Sequence, residues 1–260
     1  GPRLYASELS YRQENLRPKI DSLTALEPGQ ILVPANFNPA NQVFEPAHPS
    51  RDGIFVSLEP AQADEGGRVK PLWKKGYRSL RWTASDPNDD RLTYELSFRP
   101  AAAGDHENGP WRKIADDLSE DYYSFDSTVL PDGVYRFRLV ASDRRSNDPD
   151  TALSAELVSE PVVVDHTPPA LGAVEVADGV LRVAVKDELS PLREAVYSLN
   201  AGDWKPARSA DSLLDGHAET LLIDLPHPGQ PGDLLLLRVT DAAYNVVTFD
   251  LSHHLSKSGQ

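Results

Sequence analysis

Cysteine and methionine are both missing from the 260 residues. Without cysteine there can be no disulfide, no thiolate metal site and no cysteine nucleophile, a usage that fits the cytosol and many bacterial exported proteins alike. Basic charge is short as well: 26 Lys and Arg stand against 40 Asp and Glu, a formal net charge of -14. Such a chain has no broad electrostatic match to nucleic acid or anionic lipid, so neither is expected as a partner. No run approaches the roughly 18 to 20 apolar residues that cross a bilayer, and no charged-then-apolar leader opens the chain, so no membrane insertion is expected. Catalytic signatures are absent too. There is no Gly-x-Ser-x-Gly elbow, Gly-x-x-x-x-Gly-Lys loop, His-Glu-x-x-His helix or dinucleotide fingerprint.

What is present is an ordinary globular composition, 40% hydrophobic and 25% charged, which excludes wholesale disorder. The length suggests two domains of roughly 100 to 150 residues. The opening Gly1-Pro2, without an initiator Met, resembles the scar a tag-removing protease leaves. A piece of a longer protein is therefore expected, in which a removed signal peptide would be invisible.

Short alternating runs between Gly, Pro, Asn and Asp clusters recur, and sustained 3.6-residue periodicity does not, which predicts strands. Lys19 to Leu26, Leu80 to Ala84, Leu92 to Phe98, Tyr123 with Phe125, Tyr135 to Ala141, and Val162 with Val164 supply a first set. After Thr167-Pro168-Pro169 the grammar restarts with Val174 and Val176, Leu181 to Val185, Tyr197 to Leu199, Leu221 to Leu225, Leu235 to Val239, and Val247 to Leu251. One-sided alternation is the mark of antiparallel sheets packed in pairs. The expectation is all-β: two β-sandwiches in tandem, 14–165 and 166–254, joined by a short, stiff diproline hinge. Residues 1–13 read as the last strand of a missing upstream domain, and 255–260 as a flexible tail. A Pro-rich stretch at about 33–73, with one apolar patch at Ile54-Phe55-Val56, breaks the rhythm and reads as an insertion.

The run Arg81-Trp82-Thr83-Ala84-Ser85-Asp86-Pro87-Asn88, together with Asp132-Gly133-Val134-Tyr135 and the strand through Asp143, resembles a fibronectin type III domain, with Trp82 as the core Trp of its second strand and Tyr135 as the core Tyr of its sixth. Residues from about Arg17 to Asp165 are similar to the fibronectin-like module that follows a β-propeller in large exported bacterial proteins. Val164-Asp165-His166-Thr167-Pro168-Pro169 stands where that family has its hinge, with an immunoglobulin-like module after it. There the family carries an Arg-x-x-Asp-x-x-Gly-Asn-like stretch. Here Arg238 to Asn245 reads Arg-Val-Thr-Asp-Ala-Ala-Tyr-Asn, so Tyr244 replaces a turn Gly. The resemblance implies an exported setting, whether periplasmic, cell-surface or secreted.

Candidate sites follow from residue chemistry. Asp86, Asn88, Asp89 and Asp90 follow the Trp82 strand, and Asp143 and Asp148 follow the Tyr135 strand. In a fibronectin-like topology these loops share one pole, where carboxylates and amides suit Ca²⁺. The plainer reading is that Asp and Asn start turns by bonding their own backbone. The corresponding pole of the second module, Asp187, Glu188, Asp241 and Asn245, has fewer carboxylates and less claim to calcium. Among four tryptophans, Trp73 beside Lys74 and Lys75 is the one expected to offer an exposed face to a sugar or partner, unless it packs the insertion onto the sandwich. Arg78, Arg81, Arg99, Arg136 and Arg138 are placed on outward positions, either in cross-strand pairs or as a docking face. His253-His254, read as an extended tail, would point to opposite sides and not ligate jointly. No cofactor beyond calcium is expected. The function expected is a non-catalytic spacer, adhesion or interaction module whose partners are other domains of its parent or a cell-surface protein. The alternative is a carbohydrate-binding accessory module of a secreted enzyme.

Overall fold

The computed structural model describes residues 14–34, 69–101, 109–177, 179–225 and 232–255. In chain order the first strands are β1 (Lys19–Ala25), β2 (Gln30–Pro34), β3 (Val69–Trp73), β4 (Tyr77–Ser85) and β5 (Thr93–Pro100). Then come β6 (Arg112–Leu118), β7 (Tyr122–Asp126), β8 (Gly133–Ser142), β9 (Ser154–Val158) and β10 (Val162–Val164). One antiparallel sheet has the order β1-β4-β7, and the facing sheet has the order β10-β8-β5-β6 with β9 also on β8. β9 and β10 share the same edge of β8 because the chain steps aside at Ser159, whose Oγ accepts from Phe137 N at 3.0 Å.

The period-2 pattern decides which residues meet between these sheets. Trp82, Leu96, Phe137 and Leu139 point inward with Leu23, Leu80, Phe125 and Val164. Trp82 is fully enclosed, its ring edge-on to Tyr94 at 5.3 Å. The Tyr135 hydroxyl donates to Pro131 O at 2.7 Å, fixing the corner by which the chain enters β8.

The second set comprises β11 (Ala170–Ala177), β12 (Val180–Lys186), β13 (Leu192–Leu199), β14 (Lys205–Pro206) and β15 (Arg208–Ser209). It continues with β16 (Ala218–Asp224), β17 (Leu235–Asp241) and β18 (Val246–Asp250). The sheets β11-β12-β16-β15 and β14-β13-β17-β18 enclose a separate core of Leu181, Val183, Leu221, Ile223, Leu235 and Leu237. The chain is therefore all-β, with antiparallel sheets packed as sandwiches of the fibronectin and immunoglobulin kind.

Three local expectations change. The 33–73 stretch is not wholly irregular: its two ends are β2 and β3, paired from Gln30↔Trp73 to Pro34↔Val69. Ile31, Leu32 and Val33 are buried. The hairpin is tied to the first sheet where Ser79 Oγ donates to Gln30 O at 2.7 Å and Leu32 N donates to Ser124 Oγ at 3.0 Å. Residues 35–68, with Ile54-Phe55-Val56, lie outside the described residues, as do 1–13 and 256–260. His253 and His254 are not extended. They sit in a one-turn helix, α1 (Ser252–Leu255), with ring centroids 3.8 Å apart, and Leu255, read as the start of a tail, is buried in the second core.

Candidate functional site

Two polar constellations occupy equivalent places in the two sandwiches. Each combines a residue of the segment entering the sandwich, the first residue after its second long strand, and an Asp at or just past the end of a later core strand, β8 in the first sandwich and β17 in the second. In the first sandwich these are Asn15, Asp86 and Asp143; in the second they are Asp165, Asp187 and Asp241. The recurrence follows from topology, since both loops and the entering segment converge on one end of such a sandwich.

At the first pole the structure brings Asp86, Asp90 and Asp143 together, with one carboxylate oxygen of each within 4.8 Å of the others. Asp143 is fully buried; its Oδ1 accepts from Leu153 N at 2.7 Å and its Oδ2 from Asn15 Nδ2 at 2.7 Å. Asp86 Oδ1 accepts from Asn88 N at 2.8 Å, the turn-starting bond that the plain reading expects. Asn147 Nδ2 donates to Asp90 Oδ2 at 2.6 Å. The other expected ligands go elsewhere. Asn88 clips the entering segment, accepting from Leu16 N and donating to Glu14 O. Asp89 is exposed and takes φ 58° to complete its turn. Asp148 turns the later loop, its carbonyl accepting from Thr151 N and Ala152 N.

At the second pole Asp165, Asp187 and Asp241 are all buried, and one oxygen of each again lies within 4.8 Å of the others. Asp165 was not among the residues singled out by sequence. Lining up the two modules by strand order is the signal that finds it. Here donors are plentiful: Asp187 Oδ1 accepts from Leu189 N and Ser190 N. Asp165 accepts from Thr167 N and Ser190 Oγ. Asp241 accepts from Asn245 N at 2.9 Å and Asn245 Nδ2 at 3.0 Å. Burial pushes the Asp241 carboxyl up to about 6, against the pull of the Asn245 bonds, and the charges of Asp165 and Asp187 add to the rise. Burial likewise raises Asp165.

A carboxyl that is a weaker acid when folded binds its proton preferentially in the native state, so stability is greatest below the unfolded pKa and is lost as pH rises through about 6. Between pH 5 and 7.5 the second sandwich is expected to lose roughly 1 kcal/mol. The carboxylates held low, such as Asp117 and Asp211, are ionised across that window and contribute little slope. Urea midpoints measured with chelator present should fall from pH 5 to 7.5, and Asp241→Asn should flatten the profile. A profile rising over this range contradicts the assignment.

The second pole is also the joint between the sandwiches. Asn245 Nδ2 donates to Asp165 O at 3.1 Å, while Asp132 of the first sandwich accepts from His166 N at 2.9 Å and Thr167 Oγ1 at 2.5 Å. The diproline linker is thus held from both sides. Tyr244 keeps the turn that a Gly would have made, at φ 64°, a backbone region that costs a non-Gly residue energy. Its ring, 6% exposed, stands edge-on to Trp73 at 6.2 Å. The Arg193 guanidinium lies 4.5 Å over the ring, and the hydroxyl donates to Glu27 Oε2 at 2.9 Å. Burial, then the Glu27 bond, pushes this phenol up to about 12. A cavity of about 10 Å³ remains, bordered by Gly29, Trp73, Arg78, Asp165, His166 and Asn245, about the space one water needs.

This corrects the exposed reading of Trp73. Only 9% exposed, it is covered by Tyr244 and lies against Gly29, where an added Cβ would come within 2.3 Å of Trp73 Nε1. Lys74 Nζ contacts the Tyr77 hydroxyl at 3.0 Å, and exposed Lys75 borders the joint. Arg78 is not outward either: it is buried, bonds Val163 O and lies in the field of Asp165. Desolvation lowers this guanidinium to about 10. Arg99 and Arg138 stack on Trp111 at 4.5 and 5.0 Å, and Arg136 donates to Ser159 O. Arg238 covers Trp204 at 4.5 Å.

No family model matches the chain, and no curated protein matches it. Among solved structures, the FN1–FN3 domains of chicken CNTN1 are 9% identical over 91% of this chain and 98% of theirs, with a TM-score of 0.28. Dimeric latent PorU from Porphyromonas gingivalis is 14% identical over 86% of this chain and 24% of its own, with a TM-score of 0.27. Scores this low carry nothing about function.

Proposed function

We propose that the chain is a non-catalytic spacer: two sandwiches locked into one semi-rigid rod that holds neighbouring parts of an exported bacterial protein at fixed distance and angle. The observation that supports this is the joint. A flexible connection between domains leaves a wet gap and a free linker, whereas here Asp132 and Asn245 grip the linker and Tyr244 meets Trp73. The bacterial, exported setting rests on the resemblance of the sequence. Partners on this reading are the parent's other domains or a cell-surface protein.

The missing cysteines make a direct test simple. Spin labels at Glu120→Cys on the first sandwich and Leu213→Cys on the second, both exposed positions, should give one narrow distance distribution. A broad or multiple distribution would show that the sandwiches move independently and would remove the spacer reading.

A further inference from the structure

We infer that the first pole is a Ca²⁺ site formed by Asp86, Asp90, Asp143 and Asn15. Clustered acids alone are common on turns, and what marks this cluster is its unfinished bonding. Asp86 Oδ2 is shut away from solvent with no hydrogen-bond partner, although it belongs to a carboxylate grouped with Asp90 and Asp143. Asn15 Oδ1 is equally buried and equally without a partner, on the same amide whose NH₂ touches Asp143 Oδ2. Native proteins pair nearly all buried acceptors, so two orphans in one cluster call for a donor or a cation.

The second pole supplies the internal control. It gathers the same number of carboxylates, yet none of its side-chain oxygens is among the buried unpartnered atoms of the described residues. Ser190, Thr167, Leu189 and Asn245 satisfy them. At the first pole the donors facing the carboxylates are backbone N–H groups and the neutral amides of Asn15 and Asn147. Of the arginines nearest in sequence, Arg144 and Arg145 are bonded to Asp117 at 3.1 and 2.8 Å, and Arg91, which follows Asp90, is exposed and in none of the described ion pairs. Three carboxylates thus converge with no cation paired to them among the described ion pairs.

The donor set is all oxygen, which selects a hard ion. Ca²⁺ takes about six to eight oxygens in flexible geometry, and Mg²⁺ demands a tighter octahedron. Asp86 Oδ2, one oxygen each of Asp90 and Asp143, and Asn15 Oδ1 supply part of that shell, with Thr151 O close at hand because it already accepts from Asn15 Nδ2 at 2.8 Å. Water completes it. Because Asn15 belongs to the segment entering the sandwich, the ion would fasten that segment to the end of the rod.

The site stands independently of the spacer reading, so the spin-label experiment and this one can fail separately. The whole chain, stripped of metal with a chelator, is titrated with CaCl₂ by calorimetry and melted with and without Ca²⁺. One Ca²⁺ per chain should bind, and at a hundredfold excess over Kd the transition of the first sandwich should rise by roughly 5 to 10 °C. Asp86→Asn keeps the Oδ1 that starts the turn, and Asp90→Asn alters a half-buried group, so both should fold by circular dichroism while binding roughly tenfold or more weakly. Asp241→Asn should leave binding unchanged. No heat and no shift at millimolar Ca²⁺ would overturn the proposal. So would binding that Asp241→Asn abolishes and Asp86→Asn leaves intact.

Discussion

Trp82→Ala is expected to destabilise the first sandwich by about 3 to 5 kcal/mol, the range for truncating a large buried aromatic. Trp82 has no exposed surface and sits where both sheets of that sandwich meet, against Tyr94 and among Leu23, Leu80, Leu96 and Phe137. The closely paired β1-β4-β7 sheet cannot collapse into the space, because Leu23↔Trp82 and Leu80↔Tyr123 fix its register. A domain whose whole stability is about 5 to 15 kcal/mol loses a large fraction of it. The second sandwich has its own closed core, so it should stay folded, with its transition lowered by loss of the joint. Urea unfolding followed by circular dichroism should show two separated transitions in Trp82→Ala, only the first shifted far. Loss of both at one midpoint would mean that the second core does not fold without the first.

The pattern of what sequence could and could not reveal follows from how each feature is held. β4, β5 and β8 bury one face against a core, so their alternation is written in the chain: along β8 the buried Tyr135, Phe137, Leu139 and Ala141 alternate with half-buried residues. β6 has no such trace. As an edge strand half exposed along its length, Arg-Lys-Ile-Ala-Asp-Asp-Leu owes its conformation to pairing with β5, where Leu96 meets Ala115. β2 and β3 pair across a gap of 34 residues, and local periodicity carries nothing about contacts at that range. The same limit governs the site. The turn chemistry of Asp86 and the gathering of Asp143 beside it were legible, because both follow strands whose ends the topology brings together. That Trp73 packs was one of the readings the chain offered, but its partner was not legible, since Tyr244 lies in the other sandwich. Asp165 looked like part of a linker until the repeat of the two poles gave it a place.

Tyr244 is the residue on which the joint turns, and Tyr244→Ala should cost about 2 to 4 kcal/mol of stability shared between the sandwiches. The truncation removes the edge contact with Trp73, the seat of the Arg193 guanidinium and the bond to Glu27 Oε2 at 2.9 Å. It also leaves an alanine at φ 64°, where a Cβ is still strained. Tyr244→Gly separates the two effects. Glycine takes positive φ freely but enlarges the unfolded ensemble, so it should recover at most about 1 kcal/mol of what alanine loses. The ordering expected is therefore wild type, then Gly, then Ala, with the distance distribution between Glu120→Cys and Leu213→Cys labels broadening in both variants. If Tyr244→Gly proves as stable as wild type, the side chain contributes nothing beyond its strain. An unbroadened distribution would show that Asp132 and Asn245 hold the linker without it. The tyrosine in place of a turn glycine is, on this account, a strained backbone position retained because its ring closes the gap between two modules.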